Sequence, residues 1–258
     1  MSSANNGNVS LIISNTGVAT ISFYHSAQNS LPAALLDELT AKIEEAGNDA
    51  QTRVIVLKSE GERTFCAGAS FDELLQIKDK EAGAIFFSGF ARVINACRKS
   101  PKIIIARVQG KAVGGGVGLA AGADYCLATE AASIKLSELA IGIGPFVISP
   151  AVIRKIGLPA FSQLTIRAVD FQTAKWAQEK GLYNEVYADI KSLDIAVDNL
   201  AEKLAYYHPE ALSGLKQILW EGTEDWDGLL NERAATSGEL VLSEFTQQAL
   251  QSFKSGNR

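Results

Sequence analysis

Apolar positions along the chain keep two rhythms, one of strands and one of helices. Residues 9–14 (VSLIIS) and 17–24 (GVATISFY) are rich in β-branched and apolar side chains around a turn at Asn15–Gly17, which predicts two short strands. Pro32 opens a stretch in which Leu35, Leu36, Leu39, Ile43 and Ala46 share a helical face, with Gly47 expected to end it. Residues 53–58 (RVIVLK) and 102–108 (KIIIARV) are apolar at successive positions, as in strands covered on both faces. Between them, Ser70-x-x-Glu73 has capping-box spacing and places a helix start at Ser70. A further helix is expected over 80–99, and a glycine-rich segment leads to a short helix and a strand over 125–128. Strand–loop–helix thus occurs at least twice, the order of an α/β fold with parallel strands. Beyond residue 148 helical spacing takes over. Leu193, Val197, Leu200 and Leu204 share a face over 191–205, and helices are expected over 209–220, 226–240 and 243–253. No repeat or Ser/Pro-rich linker divides the sequence. We read an α/β core over 1–195 and a helical region over 196–258.

Composition narrows the function. The chain has 258 residues, 47% hydrophobic and 21% charged, enough apolar chain to bury a core without disulfides or metal. A net charge of −5 and the lack of a basic run argue against a nucleic-acid partner. The uncharged stretch 139–153 has 15 residues and is broken by Gly142, Gly144, Pro145 and Pro150. A membrane span needs about 20 apolar residues, so no membrane association is expected. The first Lys or Arg is Lys42, which does not fit a secretory signal. Cys66, Cys97 and Cys126 are odd in number and form no CxxC, which suits a reduced, cytoplasmic location.

Several chemistries drop out. His25 and His208 are the only histidines, with no metal-ligand cluster around them, and neither GxSxG nor a Walker A pattern occurs. His25 reads as a surface or packing residue and Cys66 as a small buried hydrophobe. Two glycine-bearing loops carry more information: Cys66-Ala67-Gly68-Ala69-Ser70 and Gly114-Gly115-Gly116-Val117-Gly118. Each lies between a strand and a helix. Helix-start amides lack internal partners, so two converging starts would offer backbone donors to one developing oxyanion. The plainer reading is tight turns with close helix–sheet packing. Gly116 to Ala121 also fits the dinucleotide fingerprint G-x-G-x-x-A, and Glu138 follows Gly118 by 20 positions. The expected strand ends near Val108, however, too early for that fingerprint.

The segments RVIVLKSEGERTFCAGASFDEL (53–74) and PKIIIARVQGKAVGGGVGLAAGADYCLATEAASIKLSELAIGIGP (101–145), with AKWAQEKGLYNEVY (174–187) more loosely, resemble the enoyl-CoA hydratase/isomerase family of the crotonase superfamily. The resemblance implies a ClpP/crotonase-like α/β spiral of ββα units with a helical C-terminal trimerisation region. It implies an acyl-CoA thioester substrate of fatty acid metabolism, coenzyme A entering only as part of that substrate, and a homotrimer or homohexamer. No metal or nicotinamide is implied. Carried over by position, the two oxyanion-hole amides fall on Ala69 and Gly115, flanked by Ala67, Gly68 and Gly114. The first catalytic glutamate falls on Gly118, which has no side chain, and the second on Glu138. Phe146 falls where the acyl pocket is shaped, with core packing as its alternative. Phe253-Lys254 matches an aromatic–basic pair that contacts CoA, with an ordinary helix end as its alternative. At the start of the CoA site the chain reads His25-Ser26-Ala27-Gln28, without the usual basic residue. A single carboxylate suits proton transfer within one substrate, so the resemblance implies a Δ3,Δ2-enoyl-CoA isomerase. A hydratase or related lyase is the close alternative, and a catalytically silent acyl-CoA-binding homologue the distant one.

Overall fold

A computed structural model describes residues 7–254. Strands β1 (Gly7–Ile13) and β2 (Val18–His25) form an antiparallel hairpin, paired from Gly7↔His25 to Ile13↔Ala19. Helix α1 (Ala33–Asn48) buries Leu35, Leu36, Leu39, Ile43 and Ala46, the face its spacing predicts. Gly47 does not end it. The helix runs one residue further, and Gly47 instead fits against Ser100 and Pro101. The stop comes at Asp49, whose carboxylate accepts from the Thr52 amide and hydroxyl, both at 2.8 Å, and turns the chain away.

There follow β3 (Val54–Ser59), β4 (Thr64–Cys66), α2 (Phe71–Leu74), α3 (Lys80–Lys99), β5 (Ile103–Val108), β6 (Lys111–Val113), α4 (Gly115–Gly122), β7 (Tyr125–Thr129) and β8 (Ile134–Lys135). After a 3₁₀ turn at Glu138–Ile141 come α5 (Ser149–Ile166), α6 (Ala174–Glu179), β9 (Glu185–Tyr187), α7 (Ile190–Tyr206), α8 (Pro209–Leu219), α9 (Trp226–Leu240) and α10 (Glu244–Lys254). One six-stranded sheet has the order β1-β2-β3-β5-β7-β9, parallel from β2 onward. A second, three-stranded parallel sheet has the order β4-β6-β8.

The successive apolar residues of β3 and β5 serve two layers. Ile55, Leu57 and Ile104 face the main core with α1 and α3. Val54, Val56, Ile103 and Ile105 face Leu193, Val197 and Ala201 of α7. Helix α7 starts at a capping box in which Asp189 accepts from the Ser192 amide at 2.7 Å. It runs without a break through residues 195 and 196 and covers the sheet. Helix α8 is locked to the core by a buried ion pair. Lys216 and Asp124 are 2.7 Å apart, with side chains 3% and 2% exposed.

Helix α9 sits on α3 through backbone. A Cβ at Gly238 would fall 2.5 Å from the Ala84 nitrogen and 2.6 Å from the Gly83 carbonyl carbon. Gly238→Ala should therefore force the two helices apart and cost about 1–3 kcal/mol, as overpacking does. Urea unfolding would measure it. A midpoint equal to that of the native protein would mean the helices are not seated this way.

Candidate active site

The two glycine-bearing loops both issue from the small sheet. Strand β4 ends at Cys66 and delivers Ala67–Ser70, while β6 ends at Val113 and delivers Gly114. Parallel pairing of β4 with β6 brings the loops side by side. Gly68 (φ +90) lies so close to the second loop that a Cβ there would be 2.9 Å from the Val113 carbonyl oxygen and 3.5 Å from the Gly115 nitrogen. Gly114 adopts φ 54, ψ −120, a conformation closed to L side chains. Its amide donates to the Lys135 carbonyl at 2.8 Å, tying the corner to β8. The Ala69 and Gly115 amides donate to no acceptor among the described residues.

These donors differ from a matched pair of helix starts. Gly115 is the first residue of α4, but Ala69 precedes Ser70, the cap of the four-residue α2. Only half of the expected capping box forms. Ser70 Oγ accepts from the Glu73 amide at 3.4 Å, while Glu73 Oε2 accepts from the Ala33 amide at 2.8 Å. The loop is held from outside as well, by the Leu31 amide donating to the Gly68 carbonyl at 2.8 Å.

β8 leads directly to the third component. The 3₁₀ turn at Glu138–Ile141 closes through Gly142 (φ +82), and the Ile143 amide donates to the Glu138 carbonyl at 2.9 Å. The Glu138 side chain points back at Gly114, where a Cβ would be 2.9 Å from Oε1. Glycine at 114 thus makes room for the carboxyl. Oε2 is covered and has no hydrogen-bond partner among the described residues. Burial pushes this carboxyl up to about 7, its own backbone amide pulling weakly the other way.

Ala67, Gly68, Ala69, Gly114, Gly115, Glu138 and Phe146 all line one cleft of ≈ 590 Å³, its open mouth included. Phe71 and Leu74 of α2, Phe87 and Phe90 of α3, Ile148, and Ser237 of α9 also line it. Sequence reading left these out, because apolar residues at helical spacing look the same in a core as in a substrate wall. Phe90 covers Gly115 so closely that a Cβ there would sit 2.1 Å from its ring. Gly118 is not part of the cleft wall, and a Cβ on it would be 2.4 Å from Ile148 Cγ2.

The remaining expected residues fall elsewhere. Ala27 lies in an exposed turn outside the cleft lining, held by its amide on His25 Nδ1 at 3.3 Å. The Ala67 amide donates to the neighbouring Gln28 carbonyl at 3.2 Å, so this turn abuts the cleft. Phe253 and Lys254 end α10, and their side chains lie outside the described residues. His25 is buried and packs this turn, and His208 is exposed beside Glu210. The Cys66 thiol is buried and pushed up to about 12, which leaves it inert. The spacing argument against a dinucleotide site does not hold, because β6 ends immediately before Gly114. What speaks against that site is that the acid at the expected distance, Glu138, is aimed at the glycine corner itself. Among the described residues no helix is long and apolar enough to cross a membrane.

Such a cleft has two free backbone donors at one corner, one enclosed carboxyl beside them and apolar walls. It can hold a carbonyl oxygen as charge develops there and move a proton at an adjacent carbon. The model of the enoyl-CoA hydratase/isomerase family matches residues 14–255. The chain is 31% identical to the 2,3-dehydroadipyl-CoA hydratase of Escherichia coli, over 89% of this chain and 91% of that one. It is 30% identical to the mitochondrial methylglutaconyl-CoA hydratase of Rattus norvegicus, over 81% and 68%. Among solved structures, an enoyl-CoA hydratase from Bacillus anthracis superposes with a TM-score of 0.77 at 29% identity, covering 96% of each chain. The chain belongs to the enoyl-CoA hydratase/isomerase family and has the crotonase fold.

Proposed function

We propose that this chain acts on acyl-CoA thioesters as a Δ3,Δ2-enoyl-CoA isomerase with Glu138 as its single acid/base. The observation that carries the reading is one enclosed carboxyl, raised to about 7, facing the Gly114–Gly115 corner in a cleft lined by no other ionisable side chain. The thioester carbonyl of a 3-enoyl-CoA accepts from the Ala69 and Gly115 amides. Ionised Glu138 removes a proton from C2. The electron pair left at C2 spreads through the carbonyl, and the dienolate oxygen gains the charge that the two amides stabilise. The Glu138 carboxylic acid then returns the proton at C4, leaving the double bond between C2 and C3. No atom is gained or lost and no cofactor is consumed. A pKa near neutrality suits a group that must both take and give a proton.

The names of the relatives favour hydration as a second reading, in which Glu138 works on a water instead. Assay of 3-enoyl- and 2-enoyl-CoA esters, with product identified by mass, separates the two. Conversion without mass change supports isomerisation, and a gain of 18 mass units on the 2-enoyl ester, the mass of one water, supports hydration. Binding without turnover of either would leave the silent homologue. We also propose a homotrimer or homohexamer. Leu158, Ile166 and Val169 in and after α5, with Ile218 of α8, leave apolar side chains 64–72% exposed in the single chain, and a stable monomer in sedimentation would overturn the assembly.

A further inference from the structure

We propose that Ile148 is a specificity-determining residue, filling with carbon the space between α4 and the cleft and so confining the site to proton transfer within the substrate. The inference rests on the isomerase reading above. Ile148 lines the cleft on one side and is 3% exposed. On its other side it presses on α4, where a Cβ at Gly118 would meet Ile148 Cγ2 at 2.4 Å and Cβ at 2.8 Å. Rotation about χ1 would move Cγ2, but Cβ is bonded to the Ile148 backbone, so the 2.8 Å contact could not be relieved by turning the side chain. The glycine at 118 and the branched side chain at 148 therefore share one volume between them.

Ile148 is also fixed in place. It caps α5, its carbonyl accepting from the Val152 amide at 3.1 Å. The next residue, Ser149, donates to the Phe146 carbonyl at 2.7 Å and accepts from Arg233 of α9. The wall cannot swing aside without breaking these bonds. A reacting water needs room and about two to four polar partners. Beside Gly118 of α4 it meets the carbons of Ile148. The polar side chains in the lining are Ser137, Glu138 and Ser237, and the Ser237 hydroxyl already donates to the Arg233 carbonyl at 3.1 Å. Among the described residues no α4 side chain lines the cleft, so none holds a water against Glu138 from that helix.

The test compares Ile148→Ser, which opens the volume and adds a hydroxyl to hold water, with Ile148→Val, which leaves it nearly full. Native protein and both variants are given trans-3-hexenoyl-CoA and trans-2-hexenoyl-CoA, and 3-hydroxyhexanoyl-CoA is quantified against the isomerised ester. The ratio of hydration to isomerisation should rise by about tenfold or more in Ile148→Ser and stay near the native value in Ile148→Val. A native ratio in an Ile148→Ser variant that still isomerises overturns the proposal, as does efficient hydration by the native protein. A second readout needs no turnover. Gly118→Ala should lower the melting temperature in the native background and cost far less in an Ile148→Ala background, the coupling of two residues that share a volume. Equal costs overturn the shared volume. If the native protein isomerises no 3-enoyl ester, the isomerase reading fails by itself, and the stability cycle still decides whether Ile148 holds the space beside Gly118.

Discussion

Glu138→Gln should lower kcat on a 3-enoyl-CoA ester by about 10²–10⁴-fold, the usual cost of losing a general base, while the ester still binds. Glutamine keeps the size of the side chain but cannot accept the C2 proton. On the proposed mechanism binding should survive, because the carbonyl is held by backbone amides that the substitution does not touch. Stopped-flow or single-turnover assay with a separate binding titration checks both halves, and a variant of native activity would refute the mechanism. The native pH profile follows from the same group. The base is the ionised form, and burial holds the carboxyl at about 7, so kcat/KM should fall as pH drops through 7 and level off above it. Stability runs the opposite way. With the folded pKa near 7 and the ordinary value at 4.5, the folded state holds the proton more tightly than the unfolded chain. Stability is therefore fully present below pH 4.5 and is lost as pH rises toward 7, by about 3 kcal/mol on simple linkage. Glu138→Gln, neutral throughout, should be the more stable protein at pH 8 and nearly equal at pH 4. Thermal melts at the two pH values measure this, and identical melts at pH 8 would place the carboxyl in water.

Asp124→Asn should cost about 3–5 kcal/mol of folding stability, the range for breaking a buried ion pair from one side. Asp124 Oδ1 accepts from Lys216 at 2.9 Å and from the Trp220 indole at 2.6 Å, and Oδ2 accepts from Lys216 and from the Ile104 amide, both at 2.7 Å. Its carbonyl accepts from Lys155 at 2.9 Å. Burial already pulls the Lys216 ammonium below its ordinary range against the opposing pull of Asp124. Asparagine can offer Lys216 one amide oxygen beside the Cys97 carbonyl at 2.8 Å, but its NH2 group cannot accept from the donors the second carboxylate oxygen served, and the buried ammonium loses its counter-charge. Urea unfolding of Asp124→Asn, and of Asp124→Asn with Lys216→Met, tests the point. The double variant should recover much of the loss, because no charge is then left buried. A single variant within about 1 kcal/mol of the native protein would show that water reaches the pair.

Long periodic segments were legible in the sequence. Helix α3 starts and ends where its spacing predicts, because the Asp79 side chain accepts from the Ala82 amide and Pro101 follows closely. The doubly covered strands β3 and β5 showed in their unbroken apolar runs. The small sheet did not show. Strands β4, β6 and β8 have three, three and two residues, too few for any period, although they set both loops and the approach to Glu138. The glycine corner and Glu138 were readable because their wording resembles a family. Phe90, Ile148 and Ser237 were not, because their role depends on which long-range partner each apolar or small residue meets. At Gly118 the sequence showed a missing side chain, and only the structure shows that Ile148 takes its place.

The seat of α9 on α3 has a consequence for the shape of the cleft. Ser237 lines the cleft, and its neighbour Gly238 rests on the α3 backbone. A wall carried by main-chain contact has no rotamer to turn and cannot yield to a larger acyl group as a side-chain wall would. It acts as a fixed stop, like the end of a ruler. The extent of the cleft at Ser237 is then set by how one helix backbone rests on another, and only a shift of the whole helix would change it.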